Sequence, residues 1–195
     1  MKRYAVFAGI NGAGKSTFHN EFYEPLPGEK RINTDEMVAR IGSWRDGSLQ
    51  MKCARESVRL IKQYLDDGIS FNQETTMAGK SIIGTIKTAK TRGYEIHLHY
   101  VGLESADIAL QRIAKRVAEG GHGIPADDVV RRYGNSFGNL CAALKYCDHA
   151  ALYDNSVRMR LVAKFNNGNL VYKSQSLPGW LVTNTALRAL REYYF

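Results

Sequence analysis

Apolar and polar positions alternate along this chain with two different periods. Tyr4–Ala8 is an uninterrupted apolar run ending at Gly9, as expected of a central parallel strand buried on both faces. A helix should open at Lys15, and Lys30–Asn33 reads as a short second strand before Thr34, Asp35 and Glu36. Between Ser48 and Asp67, the residues Met51, Ala54, Val58, Ile61 and Leu65 recur at helical spacing until Gly68 stops the pattern. Ile69–Gln73 reads as a third strand, and Lys80–Thr91 as a helix closed by Gly93. Tyr94–Leu103 sets Tyr94, Ile96, Leu98 and Tyr100 against Glu95, His97, His99 and Val101, which predicts a strand.

Ser105–Glu119 returns to the helical period, with Ser105 able to cap it. Gly120-Gly121-His122-Gly123-Ile124-Pro125 breaks the pattern, and a further helix follows from about Asp127. His149–Asp154 is a late strand. Leu161–Phe165 and Leu170–Lys173, joined through Asn166-Asn167-Gly168-Asn169, predict a β-hairpin, and Asn184–Tyr194 a final helix. Such alternation predicts an α/β fold with a mostly parallel central sheet. One domain is expected over residues 1–195, with residues 156–195 as a C-terminal hairpin-plus-helix appendage. Ligands should then sit beyond the carboxyl ends of the strands.

Composition narrows the function classes. The 195 residues are 44% hydrophobic and 24% charged, enough for one sizeable core. No apolar run approaches the roughly eighteen residues of a membrane span, and no signal-peptide pattern precedes the first strand, so a cytoplasmic protein with no membrane partner is expected. Cys53, Cys141 and Cys147 are odd in number and lack CxxC spacing, which argues for idle thiols in a reducing compartment. A net charge of +8 points to an anionic partner. No long Lys/Arg run with interleaved aromatics accompanies it, so nucleotides and sugar phosphates are favoured over nucleic acid.

The strongest motif is GINGAGKST, Gly9 to Thr17. Gly9-x-x-x-x-Gly14-Lys15-Ser16 matches the P-loop pattern, after a strand and before a helix. Gly9, Asn11, Gly12, Ala13, Gly14 and Thr17 then belong to a cradle whose backbone N–H groups converge on phosphate oxygens at a helix N-terminus. Lys15 should reach the β- and γ-phosphates, and the Ser16 hydroxyl should ligate Mg²⁺. Neither a DxxG nor an NKxD segment accompanies the loop, which favours ATP over GTP.

Other candidates lie on the strand-end rim. Asp35 can accept the proton of an attacking hydroxyl, but Asn33 and Glu36 also have capping-box spacing, and Asp35 in a first helical turn suits the helix dipole. Both readings stand on spacing alone. Glu74, with Thr75 and Thr76 beside it, follows the third strand and can hydrogen-bond substrate hydroxyls. Arg112 and Arg116 share a helix face, and Arg131 and Arg132 follow the Gly-rich break. Together they make an Arg-bearing flap able to neutralise a transferred phosphoryl group, or else a solvated basic face. His122, inside the flap, could touch phosphate or simply belong to a polar loop. His97 and His99 share a strand face without an evident third ligand, so packing under a helix is expected and no metal besides Mg²⁺ is proposed.

With these residues assembled, the chain resembles the zeta-toxin family of P-loop kinases, in its short stand-alone form. The resemblance runs from about Tyr4 to Ser156 and rests on Gly9–Thr17, Ile32–Asp35, Phe71–Thr76, Arg116–Leu140 and His149–Ser156. It implies a three-layer P-loop kinase-like fold and ATP/Mg²⁺-dependent phosphorylation of a sugar hydroxyl in UDP-N-acetylglucosamine; the alternatives are a small-molecule, nucleotide or nucleic-acid kinase with a different acceptor, or a non-catalytic nucleotide-binding regulatory protein. By that resemblance Lys15 and Ser16 hold the triphosphate and metal, and Asp35 is the catalytic base. Glu74 and Thr75 grip the acceptor, and arginines among Arg112, Arg116, Arg131 and Arg132 stabilise the phosphoryl group. An antitoxin partner is implied too, with no antitoxin segment expected upstream of a strand that starts almost at Met1. Val130 and Asn135 stand where further basic residues would be expected, which thins the charge of the flap.

Overall fold

The computed structural model describes residues 1–42, 46–121 and 123–194; His122 lies outside them. Among the described residues, seven strands form one sheet in the order β2-β3-β1-β4-β5-β6-β7. They are β1 (Arg3–Ala8), β2 (Lys30–Ile32), β3 (Phe71–Thr75), β4 (Glu95–Gly102), β5 (His149–Asp154), β6 (Arg160–Asn166) and β7 (Asn169–Lys173). The first five run parallel, and the hairpin of β6 and β7 continues the sheet antiparallel. The expected mostly parallel α/β sheet is present. The hairpin turns through Asn167 and Gly168 at φ 48° and 77°, the left-handed pair that a two-residue connection favours.

Helices cover both faces. They are α1 (Lys15–Phe22), α2 (Thr34–Ile41), α3 (Gly47–Asp67), α4 (Ser81–Thr91), α5 (Ala106–Ala118) and α6 (Ala126–Leu144), with α7 (Gly179–Thr183), a 3₁₀ turn (Thr185–Leu187) and α8 (Arg188–Tyr194) at the end. On β1, Tyr4, Val6 and Ala8 face the main core beside residues of α3, α4 and α6, while Ala5 and Phe7 face α1 through Phe18. A third cluster joins Ile10 and Ala13 of the glycine-rich loop to Val101, Ala109, Ile113 and Val129. That cluster fixes the loop against β4, α5 and α6.

Two readings of the pattern shift in the fold. In α3 the buried residues are Cys53, Ser57, Ile61 and Leu65, whereas Met51 and Val58 are 57% and 67% exposed. The amino-terminal half of α3 turns a polar contact inward: the Ser57 hydroxyl donates to the Cys53 carbonyl and lies 3.0 Å from the Thr34 hydroxyl. The C-terminal segment, expected as an appendage, shares the main core. Trp180 is 1% exposed, stacks on Phe137 and donates its indole N–H to Asp154 Oδ1. The expected helix from Asn184 opens as the 3₁₀ turn, capped by the Asn184 side chain at the Ala186 N–H, and runs on as α8.

His99 packs under α1 as expected, stacked on Phe7 at 5.1 Å with Phe18 beside it. Both of its ring nitrogens are buried and, among the described residues, without a hydrogen-bond partner. Burial, reinforced by His97, Arg3, His19 and Lys164, pulls its pKa from 6.5 down to about 3. Below pH 6.5 the unfolded chain therefore takes up a proton that the native state refuses, so stability falls with pH. We expect His99→Phe to remove that part of the acid loss, up to about 1.4 kcal/mol per pH unit between roughly pH 6.5 and 3. Urea unfolding of both proteins at several pH values measures it; parallel pH profiles would show that His99 is not the titrating group.

Candidate active site

The glycine-rich loop links β1 to α1 at the carboxyl edge of the sheet. Gly9 sits at φ 135°, and a Cβ there would lie 2.3 Å from the Val101 carbonyl oxygen. Gly14 is the N-cap of α1 at φ 96°, and no side chain caps that helix. Its first-turn N–H groups thus remain available to an anion, as a phosphate cradle requires.

The loop carbonyls are held from outside. Ile10 O accepts from the Lys15 ammonium at 3.1 Å and from the Ala13 N–H. Ala13 O accepts from the Asn155 amide at 2.8 Å. Gly12 O accepts from Arg112 Nη1 at 3.4 Å, while Arg112 Nη2 donates to the carbonyls of Asn155 and Ser156 at 2.7 and 3.2 Å. Arg112 and Asn155 therefore set the shape of the loop as well as line its hollow. Asn155 was missed by sequence reasoning, although it follows a recognised strand directly on the rim.

Glu74, the last residue but one of β3, is in register with Phe7 of β1. Its carboxylate accepts from the Ser16 hydroxyl at 2.9 and 3.0 Å, from Asn33 Nδ2 at 2.8 Å and from Arg31 Nη2 at 3.1 Å. The Lys15 ammonium lies 3.7 Å away. Desolvation lowers the Lys15 pKa, opposed by Glu74 and Asp35 and assisted by Arg116. The donor set suits a small hard cation: the Ser16 hydroxyl and the Glu74 carboxylate supply oxygens beside the cradle.

Three hollows meet here. One of about 480 Å³ is lined by the loop from Asn11 to Thr17 with Arg112, Arg116 and Asn155. A second, about 500 Å³, is lined by Asn33, Thr75, Thr76, Arg131 and Arg132 among others. The third, about 650 Å³, lies between α2, α3 and the start of α6. Asn11 and Asp35 line all three, and Lys15 and Glu74 line the first two.

Asp35 satisfies both readings of its sequence. It occupies the first turn of α2, where the Asn33 side chain accepts from the Asp35 and Glu36 N–H groups, yet it is exposed at the junction of the hollows. The arginines segregate by helix. Arg112 and Arg116 of α5 border the first hollow; Arg131 and Arg132 of α6 border the second. Arg131 pairs with Asp128 at 2.5 Å, and Arg132 donates to Asn11 Oδ1 at 2.9 Å. Thr75 turns its hydroxyl to the Met77 N–H while bordering the second hollow.

Comparison with known proteins follows from this geometry. The family model described as zeta toxin matches residues 2–174. An uncharacterized protein of Haemophilus influenzae is 34% identical over 134 residues, covering 68% of this chain and 94% of that protein. A chain of the AvrRxo1-ORF1:-ORF2 complex with ATP superposes with TM-score 0.70 at 15% identity, over 87% of this chain and 60% of its own length. A chain of the PezAT toxin-antitoxin system of Streptococcus pneumoniae gives 0.59 at 18% identity, over 100% of this chain and 79% of its own. This chain thus spans less than two thirds of its AvrRxo1 counterpart, and these structural likenesses are likenesses of fold.

The Arg112 fork predicts a measurable positioning effect. Arg112→Leu should weaken binding of an ATP analogue at least about tenfold and lower stability by about 1–3 kcal/mol, the scale of charge-assisted hydrogen bonds. Fluorescence titration and urea unfolding measure the two. Unchanged nucleotide affinity would dissociate the loop's shape from Arg112.

Proposed function

The chain belongs to the zeta toxin family and is thereby a P-loop phosphotransferase; from that premise we propose that it moves the γ-phosphoryl group of ATP to a hydroxyl of a nucleotide sugar, UDP-N-acetylglucosamine. The observation that carries the reading is Asp35: one exposed carboxylate borders the loop hollow and two further hollows, close enough to the Lys15 ammonium to act on its pKa. A base between a phosphate cradle and a cavity of several hundred Å³ is what hydroxyl phosphorylation needs.

In this reading the amides of residues 9–17 bind the triphosphate, and Lys15, Arg112 and Arg116 face its charge. Ser16, backed by Glu74, would hold Mg²⁺, whose chemistry when bound is to offset charge shared by the β- and γ-phosphates. Asp35 accepts the proton of the acceptor hydroxyl. Arg131, Arg132 and Thr75 line the acceptor side, together with Asn33. Glu74 engages Ser16, Lys15, Arg31 and Asn33, which supports a part on the metal side of the reaction alongside its contact with the acceptor. The toxin-antitoxin setting of the PezAT neighbour supports an antitoxin partner for this chain as well.

Asp35→Asn should lower phosphotransfer by at least about 100-fold, the scale of general-base catalysis, while nucleotide affinity stays within about twofold. The assay is mass-spectrometric detection of phosphorylated product after incubation with Mg-ATP and a panel of nucleotide sugars, NAD and oligonucleotides. Full activity of Asp35→Asn removes the base. A product formed on another acceptor removes the nucleotide sugar, and nucleotide binding with no product on any acceptor removes catalysis.

A further inference from the structure

Glu95, His97 and His149 stand together at the amino ends of β4 and β5, four residues along β4 from the Val101 carbonyl that abuts the loop, or about 13 Å. Parallel register sets His97 beside His149, and Glu95, two residues earlier, shares their face. One ligand atom from each lies within 4.8 Å of the others. Glu95 Oε2 is 3.2 Å from His97 Nε2, and Oε1 is 3.2 Å from His149 Nε2.

Proton placement makes this cluster informative. Asn166 Oδ1 lies 3.0 Å from His149 Nδ1. An amide oxygen only accepts, so Nδ1 carries the hydrogen. In a neutral ring, Nε2 then presents a lone pair to a carboxylate oxygen. His97 Nε2 is buried and, among the described residues, hydrogen-bonded by none. The two rings lie 4.7 Å apart. Arg3, the nearby cation, is paired with Glu29. One imidazole nitrogen from each ring and the carboxylate thus converge within ligand distance of one another.

We propose that Glu95, His97 and His149 bind one divalent transition metal of the zinc class, with Asn166 as the positioning residue for His149. Tetrahedral zinc bonds of 2.0–2.1 Å space the donors about 3.3 Å apart; in the structure each Nε2 lies 3.2 Å from a different oxygen of Glu95. Two imidazoles and a carboxylate favour zinc-class ions over Mg²⁺ or Ca²⁺. His97, His149 and Asn166 also line a hollow of about 310 Å³ bordered by Ala151 and Lys164. Because Asn166 belongs to β6, the metal would staple three strands. Sequence spacing considered His97 only with His99, which packs under α1; strand order sets His97 beside His149 instead.

Calorimetric titration of untagged full-length protein with Zn²⁺, without nucleotide and in excess Mg²⁺, tests the site. One zinc per chain is expected, with a raised Tm and a visible d–d band when Co²⁺ replaces zinc. His149→Ala, a change at a largely exposed side chain, and His97→Gln should each lower affinity at least about tenfold, and Asn166→Ala by about 10–100-fold. Absence of zinc binding by the wild type, or equal zinc affinity across the variants, overturns the site. So does an NMR titration in which both rings take up protons near neutral pH with no response to zinc, because the carboxylate would then be matched by protons alone.

Discussion

Every chemical property of the site depends on the carbonyl oxygens of the glycine-rich loop pointing outward. Peptide groups have two polar ends, so amides can converge on a ligand only if the opposing carbonyls find donors elsewhere. Lys15 and the Ala13 N–H serve Ile10, Arg112 serves Gly12, and Asn155 serves Ala13. Gly9 lets β1 run so close to Val101 that a side chain cannot fit. The cradle is therefore preorganised by groups that need never touch a phosphate.

Electrostatics follow from the same packing. A basic chain gathers Lys15, Arg31, Arg112, Arg116, Arg131 and Arg132 near one edge of its sheet, and the self-repulsion is met locally by carboxylates. Glu74 answers Lys15 and Arg31; Asp128 answers Arg131 and Arg132. Asp35 differs from both, since among the described residues no group hydrogen-bonds its carboxylate. Glu74 and Asp128 are structurally committed, whereas Asp35 is the acid left to interact with a ligand.

Much of this was legible in the sequence, for local reasons. Strands such as Tyr4–Ala8 and helices such as Lys80–Thr91 are encoded by periodicity and by Gly stops. The P-loop is encoded by the steric needs of its glycines. The stop at Gly68, in a left-handed conformation after α3, is likewise a local rule. What stayed hidden depends on strand order. Insertion of β3 between β2 and β1 puts Glu74 opposite Phe7 and so against Ser16, which no local pattern encodes. The adjacency of His97 and His149 is hidden in the same way. The five-residue α7 is too short to show a period, and the α3 stripe was misassigned because Ser57 is buried through hydrogen bonds while apolar Val58 is exposed.

The C-terminal segment gains a role from this arrangement. Asp154 is buried at the end of β5 and accepts from the Trp180 indole, the Arg160 guanidinium and the Ser156 hydroxyl. The next residue, Asn155, holds Ala13, and the carbonyls of Asn155 and Ser156 anchor the Arg112 fork. Gly102, next to β5 in the sheet, leaves room for the Trp180 ring, which a Cβ would meet at 2.5 Å. A continuous path of packed and hydrogen-bonded groups thus runs from α7 through Asp154 to the loop. Buried polar groups in such a path are costly to leave unpaired, so the Trp180 indole and Arg160 are what satisfy the buried Asp154 carboxylate. Through Trp180 and Arg160, α7 and β6 thus hold the end of β5, whose next residue, Asn155, meets the loop carbonyl of Ala13.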